Sequence, residues 1–197
     1  MSKKVKSVFN ILGILLGLAL IAVAIFGAVR LGSSRREAAL KNQEMVEVFY
    51  NTVTDIYDGL MYDRSDVQMP VIQLEGSDVI GILEVPLLSV KLPVSATWDK
   101  IETNYIPSRL SGSIYDRSLI IGGTDAEGQL DFCSDICIGD TVVFTDASGA
   151  RYEYTLERVN MMGSLDAQKE YSSGDDLTVF AKDSYFNEYT VLHLKLK

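Results

Sequence analysis

The sequence predicts a mainly β protein, a closed or nearly closed β-barrel with a few short helices, carried behind one long apolar helix and a second, amphipathic helix. Three observations lead there. An uncharged, apolar run fills residues 7–29. Apolar side chains at helical spacing follow it. From Asp78 onward the chain breaks into about seven short β-rich runs separated by turns, with no internal repeat, and many short strands with few helices imply a barrel.

The apolar run comes first. A membrane-spanning helix needs about 20 apolar residues at 1.5 Å rise, whereas a cleaved signal peptide has a shorter apolar region of about 7–15 residues. The expectation for residues 7–29 is therefore an uncleaved transmembrane signal-anchor. Lys3, Lys4 and Lys6 favour a cytoplasmic N-terminus over residues 1–6, although Arg30, Arg35 and Arg36 make the far flank basic too. No second run of spanning length occurs, which leaves the rest of the chain on one side of the membrane.

Ser34-Arg35-Arg36-Glu37 has the S-x-x-E form of a capping box, which satisfies two backbone donors at a helix start. Met45, Phe49, Ile56 and Leu60, flanked by Val46 and Val53, continue at helical spacing. The expectation is a helix from about Ser34 to Leu60 that lays its apolar face on the following domain. Tyr62–Ser77 is polar, contains Pro70 and reads as a connector. Residues 30–77 are thus juxtamembrane helix and connector, and residues 78–197 the barrel.

The strand candidates are Val79–Val85, Val90–Val94, Ser118–Gly122, Thr141–Thr145, Arg151–Arg158, Leu177–Ala181 and Tyr189–Leu196. Asp146-Ala147-Ser148-Gly149 reads as a hairpin turn. Helical patches are expected near Thr97–Tyr105 and Gly128–Cys137.

Charge and side-chain chemistry narrow the function. Of 18 basic and 27 acidic residues, seven basic and one acidic fall in residues 1–42, so residues 43–197 carry a net charge of −15. An acidic domain behind a basic anchor argues against nucleic-acid binding. Cys133 and Cys137 are too sparse for a zinc ribbon or a disulfide framework; two free, partly buried thiols are the favoured reading, a disulfide between them the alternative. Asp125, Glu127, Asp131 and Asp135 match no calcium-loop spacing and read as a solvated acidic face. His193 is the only histidine. By the two-residue period it shares a face with Tyr189, Val191 and Lys195, opposite a core face of Thr190, Leu192, Leu194 and Leu196, and reads as a surface residue. No metal or other cofactor is expected.

An ordered series of motifs carries a resemblance. It comprises Val79-Ile80-Gly81-Ile82-Leu83-Glu84-Val85-Pro86, Val90-Lys91-Leu92-Pro93-Val94, Trp98, Ser111-Gly112-Ser113-Ile114-Tyr115, Leu119-Ile120-Ile121-Gly122-Gly123, Ile138-Gly139-Asp140-Thr141-Val142, Tyr152-Glu153-Tyr154 and Asp176-Leu177-Thr178-Val179-Phe180. Together these resemble the sortases, cysteine transpeptidases of Gram-positive surfaces that cut a sorting signal such as L-P-x-T-G and join the new end to an amine. The resemblance implies a sortase-type barrel and an extracellular domain on a single-pass plasma-membrane anchor.

The resemblance also implies a Cys nucleophile, a His acid–base and an Arg that steadies substrate and oxyanion. Here Thr124 stands where the His is expected, Lys182 where the Cys is expected and Tyr189 where the Arg is expected. A lysine is protonated at neutral pH unless strongly desolvated and then cannot attack. A hydroxyl has no proton to trade near pH 7, and a phenol donates a hydrogen bond without bringing positive charge. The expected function is a catalytically inactive, sortase-like binding or accessory factor for surface-protein sorting segments, pilins or an active sortase; Lys182 reads as a lysine tipping a strand end into water, with pairing of its amine to a partner's carboxylate as the alternative. The alternative is an active cysteine transpeptidase or hydrolase with a rearranged site drawing on Cys133 or Cys137.

Overall fold

The computed structural model describes the backbone of residues 3–57, 68–98, 106–163, 174–186 and 188–197; within the long helix it describes the side chains of residues 14–27 and 37–53. The elements run in the order α1 (Lys3–Tyr57), β1 (Ile72–Leu74), β2 (Ser77–Val85), β3 (Val90–Ser95), β4 (Ser108–Ser111), β5 (Leu119–Thr124), β6 (Thr141–Asp146), β7 (Arg151–Met162), β8 (Leu177–Lys182) and β9 (Tyr189–Leu196). Short 3-10 helices occupy Pro86–Leu88 and Asp131–Ser134. The chain divides into two compact units, Met1–Glu37 and Ala38–Lys197.

In the first unit the described apolar side chains from Ile14 to Phe26 stand 57–69% exposed. Among the described residues no helix is long and apolar enough to cross a membrane. Residues 7–13 and 28–29 of the apolar run lie outside the described side chains. The capping-box segment 34–37 starts no helix: its backbone lies inside α1. No proline separates the apolar run from the amphipathic stretch, so helix propagates through it, one bond per residue added. Ile56 and Leu60 of the apolar stripe fall outside the described side chains.

In the second unit the strands are ordered β1-β2-β3-β4-β5-β8-β9-β7-β6, and β6 pairs back to β2, closing eight strands into a barrel with β1 beside the start of β2. The β3–β4 and β5–β8 pairs are parallel; the rest are antiparallel. All seven expected strands form. β1 and β4 were not legible, because three or four residues are too few to display a two-residue period. β1 arises inside the stretch read as a connector, of which residues 62–67 lie outside the described residues.

Leu83, Ile121, Phe144, Val179, Leu192 and Leu194 pack in the barrel interior. A second apolar cluster lies on the outer surface, where Met45, Val46, Phe49 and Val53 of α1 cover Val79 and Ile82 of β2. β2 is therefore buried on both faces, which is why it reads as a near-continuous apolar run. Where β2 does present a polar side chain to the helix, it is fully engaged: Tyr50 donates its hydroxyl to the buried Glu84 carboxylate, and Lys91 approaches Glu84 to 3.2 Å. Burial and the Glu84 carboxylate push the Tyr50 phenol up to about 12.

The β6–β7 hairpin turns as expected. Asp146 Oδ1 accepts from the backbone nitrogens of Ser148 and Ala150, each at 2.9 Å, and Gly149 supplies the left-handed residue at φ 83°. The helical patch expected over Gly128–Cys137 reduces to one four-residue 3-10 helix, Asp131–Ser134, preceded by Gly128 in the left-handed region at φ 81°. In the patch expected at Thr97–Tyr105, residues 99–105 lie outside the described residues.

Candidate functional site

Strand register decides which side chains meet. β5 and β8 pair Thr124 with Lys182, and β8 and β9 pair Lys182 with Tyr189. The three positions singled out in the sequence thus form one row across three adjacent strands, neighbours separated by about 4.8 Å. Leu119 and Ile121 on β5, Val179 and Ala181 on β8, and Leu192 on β9 belong to the interior, so by alternation the row lies on the outer face. Thr124, Lys182 and Tyr189 are all half-buried.

Below the row the same face is apolar. Ile120, Phe180 and Val191 form a small cluster with Trp98, Leu110, Met162 and Tyr189 packed against it. The floor depends on Gly122: a Cβ there would come within 2.1 Å of Phe180 and 2.6 Å of Trp98. The Phe180 and Trp98 ring centroids lie 5.6 Å apart with the planes tilted by 46°. An apolar strip ending in a row of hydrogen-bonding groups is suited to an extended peptide, whose side chains take the strip and whose polar atoms take the row.

Two loops frame the row; the sequence reads the first as an acidic face with a helical patch and gives no role to the second. After β5, Gln129 Oε1 accepts from the Thr124 backbone nitrogen at 3.0 Å and from the Thr124 hydroxyl at 2.7 Å. Between β8 and β9, the Asp183 carboxylate accepts from the nitrogens of Tyr185 and Phe186 at 2.6 and 2.7 Å, leaving their rings 81% and 67% exposed. The loops are tied together where Asp125 Oδ1 accepts from the Ser184 nitrogen at 2.8 Å. The signal available in the sequence was Asp183-Ser184-Tyr185-Phe186, an Asx-turn residue followed by two aromatics between adjacent strands.

The remaining candidates lie elsewhere. Cys133 and Cys137 are both free. Cys133 is in the core, and burial, with Asp131 and Asp125 adding to it, pushes its thiol far up. Cys137 is exposed and precedes β6, whose first residue Thr141 pairs with Thr155 and, through it, aligns with Lys195 at the opposite end of β9 from Tyr189. The acidic run after β5 is used locally: Asp131 accepts from Gly128 and Phe132, and burial raises its carboxyl above the ordinary range. Among the described residues no group of three or more His, Cys, Asp or Glu could hold a metal ion.

His193 requires a correction. It occupies the non-core face of β9, as expected, yet is only 1% exposed. β9 is flanked by β8 and β7, and its outer face is covered here by charged and polar neighbours. His193 Nδ1 lies 2.5 Å from Asp175 Oδ2 and 3.1 Å from the Arg158 guanidinium, and Nε2 lies 3.3 Å from Asn160 Nδ2. The Arg158 guanidinium lies 3.9 Å from the same carboxylate. His193 is four residues along β9 from Tyr189, roughly 13 Å at 3.3 Å per residue.

No protein-family model matches the chain, and no curated protein matches it in sequence. Solved structures do share the fold. Sortase A from Corynebacterium diphtheriae superposes with a TM-score of 0.53 at 14% identity, covering 84% of this chain and 93% of that one. Sortase C from Clostridium perfringens, solved with its C-terminal cell wall sorting motif, gives 0.52 at 13% identity over 79% and 88% of the two chains. Sortase A from Listeria monocytogenes gives 0.51 at 16% identity over 60% and 87%.

Proposed function

We propose that this chain, which has the sortase fold, is a membrane-anchored, catalytically inactive member of that architecture that binds extended segments of cell-surface proteins. Sorting segments, pilins or an active sortase are the partner classes. The observation that carries the reading is the row itself: a hydroxyl, an amine and a phenol, Thr124, Lys182 and Tyr189, stand in register on three adjacent strands. Such a row binds through hydrogen bonds and one positive charge. It offers no thiol to attack a carbonyl and no imidazole to move a proton, and nucleophilic catalysis needs both an activated nucleophile and its base. Loss of such a unit costs many orders of magnitude in rate. Cys133 is buried with a raised thiol, and His193 is committed to Asp175, so neither substitutes.

The anchor is residues 7–29, uncharged throughout, with the N-terminus cytoplasmic and the barrel outside the plasma membrane. Resistance to alkaline extraction, together with protease access to the barrel on intact cells, tests that placement; release by alkali overturns it.

For function, the full chain in detergent micelles is incubated with a fluorogenic peptide carrying a cell wall sorting motif, with and without iodoacetamide. Saturable binding without cleavage, unaffected by thiol alkylation, is expected. Cleavage that iodoacetamide abolishes overturns the reading in favour of a thiol enzyme.

A further inference from the structure

The site loop after β5 rests on the helix. Asn42 of α1 is buried and donates from Nδ2 to the Gly128 carbonyl at 2.7 Å. One turn earlier, Ala39 approaches so closely that a Cβ on Gly128 would meet its methyl at 3.0 Å. Gly128 is favoured by a backbone at φ 81°, and the helix against it leaves only tight room for a Cβ. The next residue, Gln129, holds Thr124 through two hydrogen bonds. The loop is closed locally as well, Leu130 nitrogen donating to the Thr124 carbonyl at 3.1 Å. The helix is in turn held to the barrel by Met45, Phe49 and Val53 and by the Tyr50–Glu84 bond.

We infer that residues 38–53 of α1 are a positioning element of the candidate site: docked through Ala39 and Asn42 on Gly128, they hold Gln129, and through it Thr124, in line with Lys182 and Tyr189. Undocking of the helix then loosens one end of the row and lowers the affinity for peptide. This inference rests on the row being a binding site. It adds that binding there responds to whether the helix is seated, because a hydrogen-bonded chain with one end on the helix transmits its release.

Amide hydrogen exchange on the full chain in detergent micelles tests it. Asn42→Leu removes the donor and places an apolar side chain of similar size in the buried position. The expected result is about tenfold faster exchange across residues 124–130 and about tenfold weaker binding of the sorting-motif peptide, with exchange in β7 and β9 unchanged. Gln129→Leu breaks the next link, so in the double variant Asn42→Leu adds nothing further at Thr124. A residue that merely supports overall stability would give additive effects instead. Should Asn42→Leu fail to fold, Asn42→Ala, which adds no bulk, is measured in the same way. Wild-type exchange over 124–130 in the single variant, or full additivity in the double, overturns the inference. Failure of the unaltered chain to bind peptide would count against the function proposed above and would leave the exchange prediction standing, so the two failures are separable.

Discussion

The two ends of the β8–β9 pair use polar side chains in opposite ways. At the loop end, Thr124, Lys182 and Tyr189 lie half-buried in a row beside exposed Tyr185 and Phe186. At the far end, His193 is buried against Asp175, Asn160 and Arg158. The residue types best suited to acid–base chemistry are thus built into the wall, while the mouth carries groups suited to binding. The sequence reads His193 as a surface residue; the structure buries it against Asp175.

Predictions that break or sharpen this contrast differ in size. His193→Ala leaves the Asp175 carboxylate without its nearest described side-chain partner, and loss of a hydrogen bond to a charged group costs about 2–3 kcal/mol. Urea denaturation should show that loss while peptide affinity stays unchanged; lost affinity at full stability would reverse the roles of the two ends. Tyr50→Phe removes a hydrogen-bond donor to buried Glu84 and should cost about 1–2 kcal/mol in the same assay, the range for hydrogen bonds to charged groups being slightly higher. Lys182→Ala should weaken sorting-motif peptide binding about tenfold, the loss expected when one of the groups carrying the bound segment is truncated. Equal affinity of both proteins would separate the row from function.

The smallest effect is on pH dependence. The Tyr50 phenol, about 10 in its ordinary state, is raised to about 12 in the fold. Its neutral form is the one the fold prefers, so its contribution is complete below pH 10 and is lost as pH rises toward 12. Denaturation midpoints between pH 9 and 12 should fall less steeply in Tyr50→Phe than in the unaltered chain.

Much of the fold could be read from periodicity, and the position of the row came from ordered motifs. Val79–Val85, Arg151–Arg158 and Tyr189–Leu196 announce themselves because each is long enough to show alternation or a sustained β-branched run. β1 and β4 are not, and they exist because neighbouring strands offer unsatisfied backbone groups. The helix face of Met45, Phe49 and Val53 was legible, but its seat on β2 was not, since any apolar outer surface would have met the same stripe. Ser34 shows the reverse error: a good local start signal was overridden by helix arriving from before it. Asn42 and Gln129 carried no signal at all, because their importance lies in the carbonyl and hydroxyl they reach across 86 and five residues.

The sequence by itself determined the strand-rich domain and the apolar run ahead of it, because these depend on local period and residue identity; Thr124, Lys182 and Tyr189 were singled out only by the resemblance, and strand register set them side by side. Tertiary structure alone decided that His193 is buried, that β2 is covered on both faces, and that the helix reaches the loop holding Thr124. Those are contacts between distant segments, and their existence depends on how the barrel closes, a property that no local stretch of chain encodes.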